Sequence, residues 1–144
     1  MFESLFASKN KKLVLTWDKE HKKIIILAHK IIADYSLNDV KNIRKHLTEL
    51  RVIAINHLMI EDIEFQQLLR DKTRVTDEIA KSIHEFDDSF RGTKITLRDF
   101  LRKYVQEDAV YDEEFFAIFN SIVEVLGNRI EYEESHLYEL LKKE

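Results

Sequence analysis

The sequence predicts an all-α fold, an up-and-down four-helix bundle with one short extra helix between the third and fourth main helices. Three observations lead there. Of 144 residues only 2 are Gly and none is Pro, so the residues that punctuate sheets, hairpins and long loops are nearly absent. Apolar residues recur at alternating steps of three and four over long stretches, the period of one helix face. Hydrophobic residues make up 44% of the chain and charged ones 35%, enough to fill one core and solvate its outside. With no internal repeat, low-complexity tract or linker, residues 1–144 read as a single domain.

After a short leader containing Leu5 and Phe6, Thr16 to Tyr35 places Trp17, His21, Ile24, Ala28, Ile31 and Tyr35 on one helical face. Ser36 and Asn38 offer side-chain acceptors suited to capping a second helix, and so short a connection makes antiparallel neighbours. That second helix is expected from about Asn38 to about Asp71. Its seam is Val40, Ile43, Leu47, Leu50, Ala54, His57, Glu61, Glu64 or Phe65, and Leu68. Thr76, Ile79, Ile83, Phe86 and Phe90 mark a third helix stopping near Gly92. Thr96 with Asp99 has the form of a capping box and opens the short extra helix, Thr96 to Gln106. The last helix starts near Tyr111, where Asp112, Glu113 and Glu114 complement the helix dipole, and runs to Lys142 and Lys143. Its seam is Phe119, Ile122, Leu126, Arg129, Glu133, Leu137 and Leu140. The aromatic positions Trp17, Tyr35, Phe65, Phe86, Phe90 and Phe119 read as core.

Composition narrows the chemistry. Without cysteine there are no disulfides, thiolate ligands or thiol nucleophiles, so a metal here would be held by His and carboxylate. A net charge of −4 with both signs interspersed gives no basic stripe for a phosphate backbone, and nucleic acid is not an expected partner. The longest apolar run, Ile24 to Ala28, is too short for a bilayer, and Met1 to Asn10 lacks signal-peptide features, so a cytoplasmic location and no membrane are expected.

Two seams are interrupted by ionisable residues. His57 and Glu61 stand where Leu or Ile would continue the second helix, and Arg129 and Glu133 do so in the last. A bundle core does not accept a carboxylate without compensation. In an antiparallel arrangement His21, early in the first helix, lies level with His57 and Glu61, late in the second. The late part of the last helix returns to the same end, with His84 slightly deeper. Imidazoles and carboxylates one turn apart on facing helices are how bundles hold iron, manganese or zinc. His84 sits at the edge of its stripe, and His29, His46 and His136 read as surface or flank residues. Glu133 with His136 has the Glu–x–x–His spacing of ferritin-like di-iron proteins, but that architecture needs a second copy, which the sequence lacks.

These residues resemble the hemerythrin-like proteins, the HHE cation-binding family. DKEHKKI, carrying His21, is similar to the family's first-helix Asp–x–x–His signature. HLMIED, carrying His57, Glu61 and Asp62, is similar to His–Phe–x–x–Glu–Glu. NRIEYEE resembles the last-helix motif His–Ile–x–x–Glu–Glu, with Glu133 or Glu134 as bridging carboxylate and Arg129 where the family has His. On the third helix the family carries two His one turn apart, matched here only by Ala80 with His84. The resemblance implies a non-haem iron centre, a di-iron pair or a single metal, ligated by His21, His57 and His84 and bridged by Glu61 and Glu133. It implies reversible binding or sensing of a small gaseous ligand such as dioxygen or nitric oxide, Arg129 donating to the bound anionic ligand. Redox activity such as peroxide reduction is suggested by relatives alone. The competing expectation is a metal-free bundle acting as an interaction module. There Arg129, which is always protonated and offers only donors, neutralises Glu61 and Glu133 as a buried ion-pair layer.

Overall fold

The computed structural model describes residues 2–70, 75–90 and 92–143, with side chains described for 11–70, 75–90, 92–139 and 141. Among the described residues the structure is all-helical, in the order α1 (Phe2–Ser36), α2 (Val40–Arg70), α3 (Asp77–Phe90), α4 (Thr93–Tyr104), α5 (Glu113–Tyr132), a single π-turn (Glu133–Leu137) and α6 (Tyr138–Lys143). Among the described residues no helix is long and apolar enough to cross a membrane.

α1 starts well before Thr16, because residues 2–15 contain neither Gly nor Pro to stop a helix. Val14 is fully buried one turn ahead of Trp17. The side chains of Leu5 and Phe6 lie outside the described residues. The α1–α2 cap also differs from expectation. Ser36 Oγ turns back to donate to Ile32 O (3.1 Å), and Asn38 takes the left-handed conformation (φ 55°). The capping residue is Asp39, whose Oδ1 accepts from Asn42 N at 3.2 Å. Thr76 caps α3 through Ile79 N, and Asp112 caps α5 through Phe115 N at 3.0 Å. α4 begins at Thr93, three residues before the Thr96 expected to cap it. Gly92 takes the capping position with φ 92°, a region open to glycine at no steric cost. Asp99 instead pairs with Arg98 on the exposed surface.

The interior divides into two apolar clusters. One joins Ile24, Leu27, Ala28 and Ile31 of α1, Ile43 to Leu58 of α2, Leu97 to Tyr104 of α4, and Phe115 to Leu126 of α5. The other joins Val14 and Trp17 of α1, Phe65 and Leu68 of α2, Ile79, Ile83 and Phe86 of α3, and Leu137, Tyr138 and Leu141 after the π-turn. α3 and α4 thus serve different halves of the core. α4 is not an addition beside a complete third wall, because it covers a cluster that α3 does not reach. α1, α2 and the α5–α6 segment run through both clusters, and the residues each presents between them are His21, His57 with Glu61, and Arg129 with Glu133.

The last helix carries a local irregularity that matters for that layer. An α-helical register leads from Glu133 to Leu137 and Leu140. The π-turn instead widens the helix by one residue, so Leu137 and Tyr138 are both buried and the seam resumes at Leu141. The side chain of Leu140 lies outside the described residues.

Candidate metal centre

His21 sits one turn after Trp17 and one before Ile24, so the register that buries those apolar neighbours buries the imidazole too. The same holds for His57 and Glu61 between Ala54 and Phe65, and for Arg129 and Glu133 after Leu126. All five are at most 5% exposed.

They converge. His21 Nε2 lies 3.1 Å from His57 Nε2 and 3.5 Å from Glu133 Oε2, and His57 Nε2 lies 3.3 Å from Glu61 Oε2. One donor atom from each of His21, His57, Glu61 and Glu133 lies within 4.8 Å of every other. Arg129 stands on the far side of the carboxylates. Its Nε donates to Glu133 Oε1 (3.1 Å) and its Nη2 to Glu61 Oε1 (3.4 Å), with the guanidinium carbon 4.7 Å from the Phe86 ring centre. Each carboxylate therefore gives one oxygen to the guanidinium and turns the other toward the imidazoles.

The imidazoles are oriented from outside. His21 Nδ1 lies 3.2 Å from Glu134 Oε1, and His57 Nδ1 lies 3.2 Å from Glu20 Oε2. Each ring can donate its Nδ1 hydrogen to a carboxylate at the edge of the protein and keep Nε2 for the interior. This carboxylate–histidine arrangement fixes tautomer and ring orientation in metal sites.

Tyr138, which the sequence seam did not include, completes the layer. Its hydroxyl lies 2.6 Å from Glu133 Oε2, 2.9 Å from Glu61 Oε2 and 3.3 Å from His21 Nε2. The ring is stacked on His21 and packed against Trp17. A phenol carries one hydrogen and cannot donate to two carboxylates at once. Protonation of a carboxyl resolves the conflict: Glu133 donates to the Tyr138 oxygen, and Tyr138 donates to Glu61. Burial, reinforced by the charge of Glu61, pushes Glu133 up to about 7. Burial and both carboxylates push the phenol up, keeping it neutral. For His21, burial opposes the charged form, but Glu133, Glu61 and Glu134 outweigh it and the pKa rises above 6.5. Burial and the neighbouring His21 lower that of His57. An imidazolium at His21 donating to a neutral His57 satisfies both rings.

The donor set fits a metal. Ligands about 2.0–2.2 Å from a common ion at right-angled to tetrahedral separation lie about 3.0–3.5 Å apart. The His21–His57, His57–Glu61 and His21–Glu133 separations fall in that interval, at 3.1, 3.3 and 3.5 Å, and all four donors lie within 4.8 Å of one another. Two imidazoles with two carboxylates suit iron, manganese or zinc. A small void of about 10 Å³ borders His21, His57, Arg129 and Glu133 on the side of Ile24, Ala54 and Leu126.

His84 is not brought into this layer. It is exposed on α3 and lines a surface cleft with Asp62, Gln66 and Asp87, because Ile83 and Phe86 take the inward positions. His29 and His136 are exposed, and His136 stacks on Tyr132, so Glu133 and His136 point to different surroundings. His46 is half-buried against Asp34 at the other end of the α1–α2 pair. The sequence carries no signal for Tyr138, because an aromatic one place beyond the expected Leu137 does not announce a π-turn. Comparison with known protein families, with curated proteins and with solved structures finds no match for this chain.

Proposed function

We propose that this chain is a hemerythrin-like up-and-down four-helix bundle whose polar layer holds a non-haem iron and binds or senses a small ligand such as dioxygen or nitric oxide. His21 and His57 would ligate through Nε2, and Glu61 and Glu133 through Oε2. The observation that carries this reading is the pair of outer carboxylates, Glu134 on His21 and Glu20 on His57, which leave both Nε2 atoms facing the same two carboxylate oxygens. With four protein donors, a single metal accounts for the ligand set better than a di-iron pair. When bound, the metal supplies a redox-active Lewis acid to which a small ligand can attach.

The chain's own residues define the rest. Arg129 pins Oε1 of both carboxylates and so turns Oε2 inward. Loading requires His21 to give up its extra proton and Glu133 to be ionised, so uptake releases protons and weakens in acid. Leu126, Ile24 and Ala54 limit water on the side of the small void.

Iron analysis of purified protein after ferrous loading and desalting, with thermal melts before and after chelation, tests the proposal. Retained iron and a melting temperature that falls on chelation support it. Absence of any retained transition metal, with His57→Ala unaffected by chelator, would sink it. A second reading is favoured by one specific contact pattern, the bonding of Arg129 to both Glu61 and Glu133. In that reading the layer is a metal-free register lock in a helical interaction module, and the same measurement finds no metal at all.

A further inference from the structure

We infer that Tyr138 is a fifth ligand of the centre, its phenolate oxygen completing a two-nitrogen, three-oxygen donor set that selects ferric iron. The inference rests on the metal reading above and adds to it a residue outside the His and Glu pattern.

The placement is specific. The Tyr138 oxygen is 2.6, 2.9 and 3.3 Å from Glu133 Oε2, Glu61 Oε2 and His21 Nε2, so it adjoins three of the four converging donors. Its ring is 1% exposed and held between Trp17 and His21, with centroids 5.4 and 5.7 Å away.

The backbone also departs from regularity at this point. In an uninterrupted α-helix Glu133 and Tyr138, five residues apart, point about 140° away from one another. The π-turn over Glu133–Leu137 brings both side chains to the same interior site. Such turns are uncommon and concentrate where a helix must present a functional side chain. Here the extra residue delivers a third oxygen donor beside those of Glu61 and Glu133. When bound, a trivalent cation would be matched in charge by three anionic oxygens, those of Glu61, Glu133 and the Tyr138 phenolate. Two neutral imidazoles complete the set, while Arg129 holds Oε1 of both carboxylates. In ligation the phenol O–H bond breaks as the metal–oxygen bond forms, the proton leaves to buffer, and no electron is exchanged.

The probe is ferric ion added as its citrate complex to the full chain, followed by desalting, iron analysis and visible absorption. Wild-type protein is expected to retain about one iron per chain and to gain a phenolate-to-iron charge-transfer band. Tyr138→Phe is expected to retain iron but lose the band, whereas Tyr132→Phe keeps it. Resonance Raman excitation within the wild-type band should enhance phenolate ring modes, a readout that does not depend on the variant folding. Retained iron without a band or phenolate modes in the wild type overturns the ligand assignment and leaves the four-donor reading standing. A band undiminished in well-folded Tyr138→Phe overturns it as well. Failure of the wild type to retain iron in any form overturns both.

Discussion

Histidine meets carboxylate between α1 and α2 at two levels of this molecule, and the two meetings are built differently. At the far end, His46 Nδ1 of α2 engages Asp34 Oδ2 of α1 at 2.5 Å, both side chains more than a tenth exposed. There is one ring and one carboxylate, and the pair ties the ends of two helices. In the middle layer each ring uses Nδ1 on an outer carboxylate and Nε2 on the interior, where the two imidazoles meet, His21 also facing Glu133 and the Tyr138 phenol and His57 facing Glu61. Burial is therefore not the whole difference. What separates a structural tie from a candidate ligand set is the use made of the second ring nitrogen.

The largest expected contrast between the two levels is in stability. Arg129→Met deletes the cation shared by Glu61 and Glu133, leaving buried carboxylates without it, and should destabilise the metal-free protein by about 3–5 kcal/mol in urea denaturation. Adding Glu61→Gln and Glu133→Gln should recover a good part of that loss, since the penalty lies in the uncompensated charge. If Arg129→Met costs less than about 1 kcal/mol, the layer is solvated in a way its burial does not reflect and the comparison collapses.

Next in size is the response to pH. The folded-state pKa of Glu133 is raised from 4.5 to about 7, so folded protein holds a proton that unfolded protein releases. Its contribution is intact below pH 4.5 and is lost as pH rises toward 7, on the order of 3 kcal/mol. His21, also raised, adds a loss in the same direction above pH 6.5, while His57, lowered, opposes it below 6.5. Subtracting the profile of Glu133→Gln from that of the wild type isolates the carboxyl. That difference should tilt against the wild type as pH climbs from 4.5 to 7, and His46→Ala should leave the tilt in place. A flat difference would mean that Glu133 ionises normally in the folded chain.

How much of this the sequence made legible follows from periodicity. The helical class, the bounds of α2 and α3 to within a few residues, and the meeting of His21, His57, Glu61, Arg129 and Glu133 are all consequences of a three-and-four spacing with nothing to interrupt it. What escaped were the departures from that spacing. The start of α1 escaped because the absence of a breaker leaves no mark. Asp39 took the cap expected of Ser36 or Asn38, since Ser36 bonds back to Ile32 O and Asn38 takes the left-handed conformation. Tyr138 escaped because a single π-turn shifts every later position by one, and no residue type announces such a turn. His84 was drawn in by the antiparallel level argument and by the family pattern, although its place beside Ile83 already put it off the inward line.

The smallest expected effect is also the one that isolates the idea of an outer carboxylate. Glu20→Ala and Glu134→Ala remove partners of His57 and His21 that are themselves 25% and 48% exposed, so their cost to the metal-free fold should be slight. Under the metal reading each should nevertheless weaken metal retention by about 10–100-fold, because the ring loses the acceptor that fixes its tautomer and aim. Asp34→Asn removes the charge of the equivalent acceptor of His46, with a stability cost of about 1 kcal/mol and no change in metal retention. Competition against a chelator of known strength measures both. Equal weakening by Glu20→Ala and Asp34→Asn would mean that metal uptake follows general stability, and that the outer carboxylates of the central layer do no more than their counterpart at the far end.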